Sequence, residues 1–146
     1  MANIPVDLSN INQRIPDGLS PEGAPYRILV VDDSKFVIKQ ITQILTSEKY
    51  DVCGCAEDGA EGVALYKELK PDLVTMDITM PKLDGLSALV QVIEFDPKAR
   101  VIVVSALGKE ETVKHALLKG AKNFIVKPFD RAKVLERVRN VLKGGK

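Results

Sequence analysis

Long apolar runs are missing from this 146-residue chain. Its hydrophobic stretches all fall far short of the ~20 residues that cross a bilayer as a helix. No basic region followed by an apolar core opens the sequence, so no secretory signal is visible and a cytoplasmic location is expected. An excess of one charge is missing too. Lys+Arg number 21 against 20 Asp+Glu, and the net charge of +1 argues against steering of the whole protein to nucleic acid or to an acidic membrane. Histidine is scarce. His115 stands alone, and the two cysteines, Cys53 and Cys55, have no further Cys or His nearby to complete a metal site. Lying two apart in an apparent strand, they should share a face, too constrained for an ordinary disulfide, and they read as small core or half-buried residues. A Walker-type glycine loop and a dinucleotide glycine fingerprint are both lacking, so a bound nucleotide is not indicated.

What is present is ordinary in bulk and specific in pattern. At 45% hydrophobic and 28% charged, the chain is long enough for one domain around one core. Residues 1–25 carry Pro5, Pro16, Pro21 and Pro25 with Gly18 and Gly23, and read as an irregular arm. Its apolar spots Ile4, Val6, Leu8, Ile11 and Ile15 are able to dock on the domain or on a partner.

From Tyr26 onward short apolar runs alternate with helical periodicity. Strands are expected at 27–31, 51–56, 72–76, 101–104 and 122–126. The helix after the first strand opens at Ser34 with Val37, Ile41, Ile44 and Leu45 on one face; the second ends before Pro71. The third carries Leu86, Leu89, Val90 and Ile93, the fourth is closed by Gly120, and the last turns Val134, Val138, Val141 and Leu142 inward. Five βα units with short connections give an α/β sandwich on a parallel sheet, buried on both faces.

Four of the apolar runs end on residues able to do phosphoryl chemistry: Asp32-Asp33, Asp77, Ser105 and Lys127-Pro128. Ligands of such sheets bind beyond the carboxyl ends of the strands, where these groups would meet. Carboxylates ~4 Å apart repel by roughly 4 kcal/mol at an effective dielectric near 20. A raised pKa, the Lys127 ammonium or a divalent cation must offset that cost. An oxygen-only pocket with few protein ligands suits Mg²⁺. Asp77, the lone acid at its strand end, is the best nucleophile for an aspartyl phosphate, and the Asp32-Asp33 pair fits the cation. Ser105 and Lys127 can reach the same phosphoryl oxygens.

Asp32-Asp33, the segment Val74-Thr75-Met76-Asp77-Ile78-Thr79-Met80-Pro81 with Asp84-Gly85, Ser105-Ala106 and Lys127-Pro128-Phe129 together resemble the receiver domain of two-component response regulators. Within that family the chain most resembles stand-alone CheY-type chemotaxis regulators. The resemblance implies a flavodoxin-like, CheY-like (βα)5 three-layer sandwich with strand order 2-1-3-4-5. It implies that Asp77 accepts phosphoryl from a histidine kinase. It also implies Mg²⁺ held by Asp32, Asp33, Asp77 and the Thr79 backbone carbonyl. Ser105 and Lys127 would contact the phosphoryl group, Lys127-Pro128 matches the family's cis peptide, and Phe124 takes the place of its switch aromatic. The implied partners are a CheA-like histidine kinase, a flagellar motor switch protein and a dedicated aspartyl-phosphate phosphatase, met by a monomer through the α4–β5–α5 surface. A phosphorelay intermediate serving a histidine phosphotransfer protein is the alternative. Because no effector domain follows Lys146, output through a separate protein is expected.

Single residues have plainer explanations. Asp33 or Ser34 can cap a helix, Asp84-Gly85 is a turn signal in any protein, Phe124 can be static core, and His115 falls off its helix's apolar face. The combination at successive strand ends is what capping does not supply. The last helix carries Arg131, Lys133, Arg137, Arg139 and Lys143 against Asp130 and Glu136, a solvated face by default or a surface for an acidic partner helix. Phe124 stands where enteric CheY has Tyr, which removes a rim hydroxyl. Leu107 occupies a variable position beside the site, where it is expected to shield an acyl phosphate from water.

Overall fold

The computed structural model describes residues 15–79 and 84–144. Met80 and Pro81 of the motif, and Ile4, Val6, Leu8 and Ile11 of the arm, lie outside the described residues. Strands β1 (Arg27–Val31), β2 (Asp51–Ala56), β3 (Leu73–Met76), β4 (Val101–Ser105) and β5 (Asn123–Val126) alternate with helices α1 (Lys35–Thr46), α2 (Gly59–Leu69), α3 (Gly85–Phe95), α4 (Glu110–Leu118) and α5 (Arg131–Lys143). All strand pairs are parallel, and the sheet runs β2-β1-β3-β4-β5.

Strand residues alternate between two cores. Leu29 and Val31, Val74 and Met76, Val101 and Val103, and Phe124 join the core under α2, α3 and α4. Ile28 and Val30, Leu73, Ile102 and Val104, and Ile125 join the core under α1 and α5. Each buried aliphatic side chain contributes roughly 1.5–3 kcal/mol relative to exposure, which is what holds the charged edge described below in place. Ser34, Asp58, Asp84 and Asp130 cap α1, α2, α3 and α5 by accepting an N–H of the first turn.

One local expectation is incomplete and another fails. On α3, Leu89 of the expected face is fully buried and Leu86 and Ile93 pack half-buried against the same core; the other fully buried positions, Gly85, Ala88 and Val92, lie outside the expectation. Small Gly85 and Ala88 form a buried seam, Gly85 against the backbone of Asp77 and Ile78, and a search for large apolar residues passes over them. In β2 the register slips between Val52, paired with Ile28, and Gly54, paired with Leu29. Val52 packs toward α1, whereas a Cβ on Gly54, two residues on, would meet Leu69 and Leu65 of α2. Residues two apart on opposite faces require the bulge, so Cys53 and Cys55 do not keep the alternation that would set them side by side. Cys53 instead donates to the Ile28 carbonyl at 3.6 Å.

The described part of the arm packs at the base of α1 and α5. The Gly18 N–H donates to the Glu48 carbonyl at 2.7 Å, the Tyr26 N–H donates to the Gly18 carbonyl at 2.8 Å, and Leu19 bridges Pro25. A Cβ on Gly18 would stand 2.2 Å from the Tyr50 nitrogen, so only glycine permits this approach. Asp17 lies 3.6 Å from Arg139, and Arg131 lies 3.1 Å from Glu48. Among the described residues, no helix is long and apolar enough to cross a membrane.

Candidate functional site

β1 and β3 are neighbours in register, with Val31 opposite Met76, so the residues that follow them emerge together. The Asp32 N–H is held by the Ala56 carbonyl and the Asp77 N–H by the Val31 carbonyl, both at 3.0 Å. One oxygen from each of Asp32, Asp33 and Asp77 lies within 4.8 Å of the others. Asp32 and Asp77 are buried, at 1% and 3% exposure, while Asp33 faces solvent.

Lys127 reaches across the sheet edge to both buried acids, with Nζ 2.9 Å from Asp32 Oδ2 and 3.2 Å from Asp77 Oδ2. Burial alone would push the Lys127 pKa down; the hydrogen bond and charge of Asp32, with the charge of Asp77, outweigh it and hold the ammonium above its ordinary value. Burial pushes the Asp32 carboxyl up, with a smaller push from the Asp77 charge. The ammonium and the Ser34 N–H oppose this without cancelling it.

The remaining oxygens are assigned by short local bonds. Asp32 Oδ1 accepts the Ser34 N–H at 2.9 Å. Asp77 Oδ1 accepts both the N–H and the hydroxyl of Thr79, each at 3.0 Å. From the sequence, only the Thr79 carbonyl is expected to act here; the signal for the contact to Asp77 Oδ1 is the Asp-x-Thr spacing, which allows an Asx-type turn. Asp84-Gly85 is expected only as a turn. A Cβ on Gly85 would stand 2.0 Å from the Asp77 carbonyl oxygen, so the residue lets α3 pack directly under the Asp77 backbone.

Ser105 ends β4 fully buried, its Oγ accepting the Leu107 N–H at 3.1 Å and its carbonyl accepting the Lys127 N–H at 2.9 Å. The Lys127-Pro128 peptide is cis. Phe124 is 5% exposed, packed in the core shared with Ala116, and forms part of a surface groove of about 470 Å³ with Val113, Leu117, Val126, Lys133 and Arg137. His115 is exposed. The structure therefore gathers Asp32, Asp33, Asp77, Thr79 and Lys127 at one point. It ties Ser105 to Lys127 through the main chain and sets Phe124 apart, on the wall of a groove between α4 and α5.

The family model for the response regulator receiver domain matches residues 28–139. The chain belongs to that family. This receiver domain is 64% identical over 139 residues to the chemotaxis protein CheY of Treponema pallidum, covering 94% of the chain and 96% of that relative. It is 47% identical over 117 residues to the chemotaxis protein CheY of Thermotoga maritima, covering 80% of the chain and 98% of the relative. Among solved structures it is similar to CheY of Borrelia burgdorferi in a complex with CheX, BeF3 and Mg²⁺, with a TM-score of 0.86 and 54% identity, over 88% of this chain and 98% of that one. The expected CheY-like, flavodoxin-like fold with order 2-1-3-4-5 is the one observed. Within the family the receiver is of the CheY chemotaxis type.

Proposed function

We propose that Asp77 is the phosphoacceptor of a Mg²⁺-dependent transfer from phosphohistidine and that the modification is read by a separate partner in chemotaxis. The observation that carries this reading is the Lys127 ammonium shared by two buried carboxylates at the carboxyl edge of the sheet. Thr79 occupies Asp77 Oδ1 with two donors, which leaves Oδ2, beside Lys127, as the attacking oxygen. The Oδ2–P bond forms as the N–P bond of the donor breaks, and the donor imidazole keeps the electron pair. Lys127 stabilises the charge on the transferring group, and Ser105 supplies a hydroxyl once its Oγ leaves the Leu107 N–H.

The donor set is oxygen only, three carboxylates without sulfur or imidazole, and fits a hard divalent cation. Asp32, Asp33, Asp77 and the Thr79 carbonyl would hold Mg²⁺, which when bound neutralises the phosphoryl oxygens. The added charge of about −1.5 to −2 draws Ser105 inward, and Phe124 packs behind it, reshaping the groove between α4 and α5. An apolar floor with Lys133 and Arg137 on its rim suits an acidic amphipathic helix.

Incubation with acetyl phosphate and Mg²⁺ should place one base-labile phosphate on the chain. Asp77→Asn should abolish the label, and labelling that persists in this variant overturns the assignment. Pull-down with a flagellar motor switch protein, strengthened by labelling, supports the chemotaxis output after a CheA-like kinase. Transfer of the label to a histidine phosphotransfer protein would favour the relay reading instead. A CheX-like protein is a further partner to test, since the Borrelia relative is described with CheX. Faster loss of label in its presence would give it the phosphatase role.

A further inference from the structure

β5 is an outer strand, so one row of its main-chain groups has no neighbouring strand. Which residue faces outward follows from the pairing. Lys127 donates its N–H to Ser105, and Ile125 lies opposite Val104 in the parallel ladder. Main-chain groups alternate sides along a strand, so Asn123 and Ile125 turn toward β4 as Lys127 does. The N–H and carbonyl of Phe124 then point off the open edge.

Side chains take both groups. Asn123 Oδ1 accepts the Phe124 N–H at 2.8 Å, while Arg137 Nη1 donates to the Phe124 carbonyl and to Asn123 Oδ1, each at 2.8 Å. One guanidinium nitrogen thus joins both halves of the exposed peptide edge to the middle of α5. The Arg137 side chain is 30% exposed, with its Nε 3.8 Å from Glu136, so it retains partial shelter from water. Edge strands are commonly blunted by charged groups, but here the blunting falls at the residue assigned above as the switch. Asn123, Phe124 and Arg137 also share the wall of one groove.

We propose that Arg137 is a positioning residue for the Phe124 switch: with Asn123 it latches the outward backbone of Phe124 to α5, so that phosphorylation moves the ring and not the strand. The inference rests on the phosphoacceptor reading of Asp77. With the backbone pinned, ring repacking transfers to the groove wall and α5. Without the latch, the end of the sheet yields and the response is spread over a loosened strand.

The test uses the full chain labelled with 4-fluorophenylalanine, whose four ring signals (Phe36, Phe95, Phe124, Phe129) are assigned by single Phe→Leu replacement. Fluorine spectra are recorded with and without beryllofluoride and Mg²⁺. The parent should show a Phe124 signal that shifts on addition. Arg137→Met should reduce the beryllofluoride-driven change in the ratio of ring states by about tenfold, the loss expected for one charge-assisted hydrogen bond, while Phe95 stays unmoved. Arg137→Lys, which keeps the charge but not the planar fork, should fail to restore it. Asn123→Ala, at a half-buried edge position, should show the same loss in a second fold-preserving background. Amide exchange at Phe124 should quicken in all three variants, with β1 and β3 amides unchanged. A Phe124 response equal to the parent's in Arg137→Met and Asn123→Ala overturns the latch. A parent whose ring signals ignore beryllofluoride overturns the phosphoacceptor reading and the latch with it, a result distinct from the first.

Discussion

Asp32 and Lys127 show how one ion pair divides a cost. Burial raises the Asp32 pKa above its ordinary 3.8, so ionising it weakens the folded state as pH rises from about that value through the folded one. Asp32→Asn should therefore be more stable than the parent at neutral pH, with the gap closing below pH 3.8, as read by urea midpoints. The sign reverses for Lys127. Its raised pKa contributes stability below the ordinary 10.5, and that contribution is lost as pH rises through the folded value. Lys127→Met should cost on the order of 3 kcal/mol at neutral pH, because two buried carboxylates are left facing each other. Leu107 is 48% exposed and its N–H donates to the Ser105 hydroxyl, and we propose that it screens an acyl phosphate on Asp77 from water. Leu107→Glu should hasten autodephosphorylation, and unchanged or slower loss of label would remove Leu107 from that role.

Elements contribute where they touch. The first turn of α3 rests on the Asp77 backbone through Gly85, where a methyl group would meet main chain rather than a yielding side chain. Gly85→Ala should destabilise the fold by about 1–3 kcal/mol and depress labelling of Asp77, measured by thermal melting and phosphate incorporation. At the other end of the domain, the Gly18 turn joins the Glu48 segment to α5 through Asp17 and Arg139. Asp17→Asn should cost less than ~1 kcal/mol, since Arg139 is half exposed. Gly18→Ala should cost more, because it lifts the whole turn off the Tyr50 backbone. The five cations of α5 do not form one free face. Arg131, Arg137 and Arg139 are engaged with Glu48, β5 and Asp17 respectively, which leaves Lys133 as the cation on the groove rim without such a tie among the described contacts.

At the scale of the molecule, the acidic edge is a place where folding and ligand binding are linked. A cation that binds only the folded state at a hundredfold its dissociation constant adds about 2.7 kcal/mol. Mg²⁺ should accordingly raise the melting temperature by several degrees, and Asp33→Ala should abolish the rise while leaving the metal-free melt close to the parent's. A Mg²⁺-independent melt of the parent would remove the cation from the site.

Apolar runs buried on both faces, the Ser34 cap and the residue types at four strand ends were legible in the sequence, because they depend on neighbours a few residues apart. The identity of Asp77 as the lone acid after β3 and the inward face of α5 belong with them. The bulge that separates the cysteines, the small-residue seam of α3, the Gly85 contact under Asp77 and the Arg137 bridge to Phe124 were not. Each is set by the distance between elements remote along the chain, and no local pattern encodes that distance. The sequence determined which groups could do the chemistry. Only the packing of five strands in the order 2-1-3-4-5 decided that Lys127 would stand within hydrogen-bonding reach of both Asp32 and Asp77, away from bulk water.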